Sequence, residues 1–487
     1  MKNKMIPFFL IFLVIGFFSN CDKSEPPEMV EKPDIGGQYY VATWGSDMNP
    51  GTFDKPWRTW QRAFSRAKAG DTVYFRGGIY YDDKDVAAVR HEPASSGNWG
   101  FNGTADNYIH FFNYPGEVPV LDGKNRTPAH WNTAMIFDGS AYIHLRGLTV
   151  RNFDQIVAAD PATGISAWGV SNMIFEQIVV HNIGGPGIFY MSGLGYRQYP
   201  HIEYDTTIFL NCDFFNNEDP LEGSAGIGGK ADGLWYGGGR GAFCIIDGCR
   251  AWNNSDGGFD TAGDATIVIR NSWAFLNIHE HGDGTGFKFG SPSSRNPVYG
   301  QIIRYVYNNI AAWNEWGFTE NNRSVGGLNC HVFNNIAYDN EELGFIGFKH
   351  EYGDTMQNVY YNNISYVNRY YQDWLRNGVL FASDKVHGYE GSNNTWDHPS
   401  RRNPMYIDIQ DSDFHGGLDS VTIVSQMTAP RKSDGSLPDI TVFRLSEESI
   451  FKGNGTYVGM SQNPDIGVDW EYFDRTKGST LLHLQKR

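Results

Sequence analysis

The sequence predicts an all-β fold, a solenoid of short parallel strands closed at its start by a helix. Three observations carry that expectation. Glycine is abundant, 57 of 487 residues, and asparagine recurs in pairs, which favours turns and β-structure over helix. From about Asn107 the chain becomes short strands broken by glycine or asparagine, such as YIHFFNY, YIHLRGLTVRNF and MIFEQIVVHNI. A pattern then recurs: NCDFFNNED, GCRAWNNSD, NSWAFLNIH, NIAAWNEWG, NIAYDNEEL and NISYVNRYY, beginning at 211, 248, 271, 309, 335 and 363. Successive starts are 37, 23, 38, 26 and 28 residues apart. The short intervals suit one turn of a β-solenoid, and the longer ones carry insertions on one face.

In chain order, Lys2 and Lys4 precede the apolar run IPFFLIFLVIGFF, too short for a comfortable membrane span and ending at Ser19-Asn20-Cys21. Residues 1–21 resemble a bacterial lipoprotein signal. That resemblance implies a lipid anchor through Cys21 and an exported protein, either an outer-membrane or cell-surface lipoprotein or a secreted one. The tripeptide Phe18-Ser19-Asn20 departs from the usual small-residue pattern, and ordinary secretory cleavage is the alternative. Residues 22–37, DKSEPPEMVEKPDIGG, read as an acidic, proline-bearing tether without periodicity.

Residues 38–487 read as one domain. In its first module, 38–81, the strand YYVAT leads through a turn to WRTWQRAFSRAK. There Trp57, Trp60, Ala63, Phe64 and Ala67 fall at helical spacing, so a helix is expected over about 57–68. DTVYFRGGIYY then alternates as a strand. The module resembles the N-terminal cap of right-handed parallel β-helix proteins. Such a cap covers the apolar face and strand edges of a first rung.

Within the repeat, Asn216, Asn253, Asn314, Asn340 and Asn368 stand five residues in. Stacked asparagines at a turn bond one another's amides and tolerate left-handed backbone. Asn253, Asn314 and Asn340 are therefore expected in register along one edge. After about residue 375 the pattern weakens, and the stretch to Arg487 is expected to pack along the coil.

Composition narrows the functions open to the chain. Hydrophobic residues make up 40% and aromatics 15%, enough for a core, while the formal net charge of −16 disfavours nucleic acid as a partner. A monomer is expected. Beyond Cys21, the cysteines Cys212, Cys244, Cys249 and Cys330 form no CxxC pair and lack zinc spacing. Cys212 and Cys249 occupy equivalent repeat positions, so buried thiols are expected in preference to a disulfide.

The residues that carry chemistry lie between Lys230 and Gly290. Asp256 and Asp260 are four apart with Gly257 and Gly258 between them, and Asp232 lies 24 residues before Asp256, about one turn of the coil. Stacked rungs are roughly 4.8 Å apart, so the three carboxylates can converge. Taken singly, Asp232 and Asp260 would pass for turn caps. Together they repel one another unless a hard cation such as calcium sits between them. Lys288, in GTGFKFG, alternates with Phe287 and Phe289 and faces outward if the phenylalanines face the core. A lysine beside a cation can be held neutral and used as a base, although most lysines are simply solvated. Cation and base together are what is needed to take a proton from a carbon next to a carboxylate.

The run ADG (231–233), CRAWNNSDGGFD (249–260) and GFKFG (286–290) resembles polysaccharide lyase family nine. The resemblance spans about 38–370. It implies a calcium-dependent, right-handed parallel β-helix enzyme that cleaves pectic polymers by β-elimination. Carried over, Asp232, Asp256 and Asp260 match calcium ligands and Lys288 matches the catalytic base. Members acting on polygalacturonate have two adjacent aspartates where this chain has Asp256-Gly257, so one side-chain ligand is missing. The expected substrate is a galacturonate-containing pectic backbone, with rhamnogalacturonan I favoured and homogalacturonan the runner-up. A non-catalytic carbohydrate-binding solenoid is the alternative of another class, and it would make Lys288 dispensable. Arg323 and Lys349 are candidates for substrate charge contacts or plain surface charge. Trp235, Tyr236 and Trp316 are candidates for sugar stacking or core. His279 and His281 flank Glu280, a weak signal for zinc.

Overall fold

The structure, a computed structural model, describes residues 36–81, 89–93, 100–124, 132–194, 202–221, 226–278, 280–290, 302–320, 328–348, 358–368, 379–382, 389–396 and 409–476. The signal and most of the tether, Cys21 among them, lie outside these residues, as do His279, Arg323 and Lys349.

The strands wind into a right-handed parallel β-helix. Three sheets run its length. A twelve-stranded sheet extends from Gln38–Val41 to Tyr389–Ser392, a ten-stranded one from Val89–His91 to Val379–Ala382, and another from Gly78–Tyr81 to Ile364–Tyr366. Strands adjacent in each sheet are one rung apart in the chain, and all the paired strands are parallel, as in the register Asp213↔Arg250↔Trp273↔Ile310. Inward residues stack by type along the axis. Phe259, Phe287, Phe318 and Phe345 form one column, with ring centroids 4.9–5.1 Å apart and nearly parallel planes. Cys212, Cys244, Cys249 and Cys330 are buried free thiols, as the repeat implied for Cys212 and Cys249.

The capping helix is present but shorter than its periodicity suggested, Trp60–Arg66 with Thr59 as N-cap. Thr59 accepts from the Arg62 backbone N–H, and Trp60, Ala63 and Phe64 are buried over the first rungs. Trp57 precedes the helix and bridges to Val41 instead.

The asparagine pattern is real but mis-phased at its start. The buried ladder runs Asn217, Asn254, Asn277, Asn314, Asn340, Asn368, each Nδ2 donating to the next Oδ1 at 2.7–3.1 Å. Asn216 and Asn253 are not in it. They are the residues just before the ladder, with left-handed φ of 55° and 53°, and they bond each other at the surface. Each turn uses one left-handed residue followed by one ladder residue. Where both are asparagine, spacing alone does not say which is which.

A second ladder, Asn309, Asn335, Asn363, Asn394, explains the doubled asparagines at the opposite end of the same strands. Its left-handed partners Asn308, Asn334 and Asn362 point outward and bind the C-terminal segment at Asp469, Gly467 and Thr456. That segment, residues 409–476 with helices Ser420–Met427 and Trp470–Thr476, lays Ile423, Phe443 and Trp470 against outward side chains of the third sheet, including Trp273, Ile310 and Ile336.

Candidate active site

A column of glycines sets the geometry of the site. Gly164, Gly187, Gly233, Gly258, Gly286, Gly317 and Gly344 open successive strands of the sheet that includes Asp232–Gly238, Gly257–Gly263 and Thr285–Lys288. A Cβ on any of the first six would stand 2.5–2.8 Å from the carbonyl oxygen of the next, so no side chain fits. Both the glycine and the hydrophobe after it, such as Gly233-Leu234 or Gly258-Phe259, are turned inward. The residue before the glycine and the second one after it therefore share the outer face. On three consecutive rungs these are Asp232 and Trp235, Gly257 and Asp260, Thr285 and Lys288. The pairings Asp232↔Gly257, Trp235↔Asp260 and Asp260↔Lys288 stack them.

Asp232, Asp256 and Asp260 converge as the sequence led us to expect. One carboxylate oxygen from each lies within 4.8 Å of the other two. Asp232 is 2% exposed, and its Oδ1 has no hydrogen-bond partner. Lys288 faces outward from the coil while Phe287 enters the core, but it is buried under the carboxylates instead of solvated, at 3% exposure. Its Nζ is 3.2 Å from Asp256, 3.8 Å from Asp232 and 3.9 Å from Asp260. Its nearest partner, at 2.9 Å, is Asp283, which the sequence reading did not single out. Asp283 sits in HGDG, an unremarkable loop motif; only its place five residues before the lysine could have drawn notice.

Electrostatics follow from burial. Burial is the largest influence on each aspartate of the trio and raises all three, Asp260 to about 6 despite the opposing lysine. Burial alone would lower Lys288, but the four surrounding carboxylates outweigh it and hold the amine well above its usual range. Without another cation the lysine is thus an ammonium. Three convergent carboxylates, Asp232 and Asp256 buried and Asp260 half-buried, with one orphaned oxygen form a hard oxygen-donor set that fits calcium. Position 257 faces the same space. A Cβ on Gly257 would lie 2.8 Å from Asp232 Oδ1 and 3.6 Å from Lys288 Cε, so a longer side chain would enter the cluster.

Of the aromatics, Tyr236 is core, 0% exposed. Trp235 lies on the outer face and stacks on Phe189, which stacks on Trp168. Their ring faces are turned to one another. Trp316 is half-buried at the mouth of a later rung, paired with Thr285.

Residues 39–358 match the model of the Pel9A-like, right-handed β-helix region, about two thirds of the chain. The chain belongs to that family. Pectate lyase L of Dickeya chrysanthemi is 31% identical over 457 residues, taking in 88% of this chain and 89% of that one. Pectate lyase PEL9 of Emericella nidulans is 27% identical over 340 residues, covering 64% of this chain and 75% of its own length. Among solved structures, that of pectate lyase Pel9A aligns with a TM-score of 0.66 over 88% of this chain and 95% of its own, and a rhamnogalacturonan lyase with 0.64 over 85% and 97%. Both are 24% identical, so they bear on the fold alone.

Proposed function

We propose that this chain is a pectic polysaccharide lyase acting by β-elimination, with a calcium ion held by Asp232, Asp256 and Asp260 and Lys288 as the base. The observation that carries the reading is the outward cluster in which a buried lysine and three convergent carboxylates share one space. Its family relatives are named pectate lyases.

The ion, when bound, supplies positive charge that offsets a substrate carboxylate and stabilises negative charge developing beside it. With the three aspartates so engaged, Lys288 loses three of the four carboxylates that raise it, and burial then favours the neutral amine. Neutral Lys288 takes the proton from C5 of a uronate. The C5–H electron pair becomes the C4–C5 double bond, and the C4–O4 bond breaks with its electron pair leaving on O4, which takes up a proton, giving a 4,5-unsaturated uronate and a sugar hydroxyl. No water is consumed, so the paired acid and nucleophile of a glycosidase are not required.

Rhamnogalacturonan I is the favoured substrate. With glycine at 257 the ion site offers three carboxylates and no fourth, and in that polymer only alternate sugars carry a carboxylate. Homogalacturonan is the second reading, favoured by the names of the relatives. Purified protein offered each polymer with calcium, with ultraviolet absorbance of unsaturated products as readout, decides between them. Faster cleavage of homogalacturonan would reverse the preference, and absence of absorbance on every pectic polymer would end the lyase reading.

The first 21 residues support export, with a lipid anchor at Cys21, and 22–37 would hold the coil away from the membrane. Labelled fatty acid incorporated by wild type but not by Cys21→Ala would establish the anchor; equal incorporation would exclude it.

A further inference from the structure

Asp283 is the nearest carboxylate to the Lys288 amine, and the backbone around it is built to put it there. Its neighbours Gly282 and Gly284 both adopt left-handed φ, 92° and 52°. Each also passes too close to neighbouring backbone for a side chain. A Cβ on Gly282 would stand 2.1 Å from the Ser255 carbonyl oxygen, and one on Gly284 2.4 Å from that of Asn277. The Thr285 hydroxyl donates to Asp283 Oδ1 at 3.2 Å, which fixes the carboxylate further. Asp283 also differs from the other three acids. Its side chain is 53% exposed, against 3–15% for Asp232, Asp256 and Asp260, and it is not part of the trio whose oxygens converge.

We propose that Asp283 is a positioning residue for Lys288. It orients the amine and stabilises the ammonium formed when the substrate proton arrives, without contributing to the cation site. The division of labour follows from geometry. When Asp232, Asp256 and Asp260 are engaged by an ion, the one remaining carboxylate in contact with Nζ is Asp283, at 2.9 Å. It then does for the lysine what a buried aspartate does for the histidine of a hydrolase triad: it fixes the direction of the base and accepts a hydrogen bond from its protonated form. Its exposed side gives the spent ammonium a route to hand the proton to water, so the amine is restored for the next turnover.

The inference rests on Lys288 being the base, so the test includes that residue. Asp283→Asn, Asp283→Ala and Lys288→Ala are assayed on the pectic polymer that wild type cleaves, at saturating calcium, and each is titrated with calcium by calorimetry. The expected result is a kcat about 10–100-fold lower in both Asp283 variants, the usual cost of losing a partner that orients a working group, with KM and calcium affinity unchanged. Wild-type kcat in both variants, beside an inactive Lys288→Ala, would overturn the positioning role and leave the base assignment standing. Calcium affinity falling in step with kcat would overturn it too, since Asp283 would then be an ion ligand. A fully active Lys288→Ala would remove the base assignment and this inference together.

Discussion

Lys288 and the three aspartates oppose one another at the residue scale, because each raises or restrains the charge of the others. Lys288→Ala removes the proton acceptor and is expected to lower kcat by at least about 10²-fold. Lys288→Arg is expected to be nearly as damaging, since a guanidinium hardly deprotonates. Steady-state kinetics on a folded variant check both. The acid side of the pH profile belongs to the ligands. Burial pushes Asp260 up to about 6 in the ion-free protein and raises Asp232 and Asp256 as well, so as pH falls a proton must leave before a cation can bind. Calcium affinity measured by calorimetry is expected to fall as pH drops below about 6, and activity to lean alkaline. A calcium affinity that is flat from pH 5 to 8 would place the ion elsewhere. Asp232, Asp256, Asp260 and Lys288 were legible in the sequence, because rung spacing and alternation bring them together. Asp283 was not, because its placement depends on two left-handed glycines whose conformation no periodicity reveals.

Turns and their asparagines dominate at the element scale. Asn314 donates to Asn340 and to the Ala274 carbonyl oxygen, and accepts from Asn277. Asn314→Ala would leave buried polar groups unsatisfied on both neighbouring rungs, at a cost of about 1–3 kcal/mol for each group so stranded. A lower denaturant midpoint checks it, and Asn253→Gly, at the exposed left-handed position beside the ladder, is the near-neutral control. The C-terminal segment docks through a second device. Asp213 is held between Arg431 and Arg250, and Arg250 also donates to the carbonyl oxygens of Met427 and Ala429. Burial would raise Asp213, but Arg431 and Arg250 outweigh it and lower it to about 2. Because the folded value lies below the ordinary carboxylate range, this stabilisation is complete above about pH 4. It is lost as pH falls through about 2. Asp213→Ala strands the buried Arg250 beside the half-buried Arg431, an expected loss of about 3–5 kcal/mol, read as faster proteolysis between 409 and 476. The repeat made the coil visible in the sequence, but the ladder was offset by one residue at Asn216 and Asn253. Paired asparagines look alike in sequence and differ only in backbone hand.

At the scale of the whole molecule, the β-helix acts as a ruler. Its rung spacing carries Asp232, Asp260 and Lys288 to one outward site, while the phenylalanine column beneath keeps those strands in register. Strand direction and the coil were legible because each rung repeats the same local requirement, whereas handedness and the cap came from the resemblance to known right-handed β-helix proteins. The packing of 409–476 onto the third sheet could only be guessed, since its contacts join residues far apart in the chain and follow no period. An ion that binds the folded cluster and not the unfolded chain must stabilise the fold, by about 2.7 kcal/mol at a concentration of 100 Kd. Calcium is therefore expected to raise the melting temperature of wild type and to leave that of Asp232→Asn nearly unchanged.

The most direct measurement is the ultraviolet absorbance of the 4,5-unsaturated product as wild-type protein and Lys288→Ala act on a pectic polymer, first in excess chelator and then after calcium is returned. Calcium-dependent β-elimination from this cluster predicts no absorbance from wild type in chelator, a rise when calcium is added back, and none from Lys288→Ala under either condition. An undiminished rise in chelator, or chain cleavage without any absorbance, would contradict it.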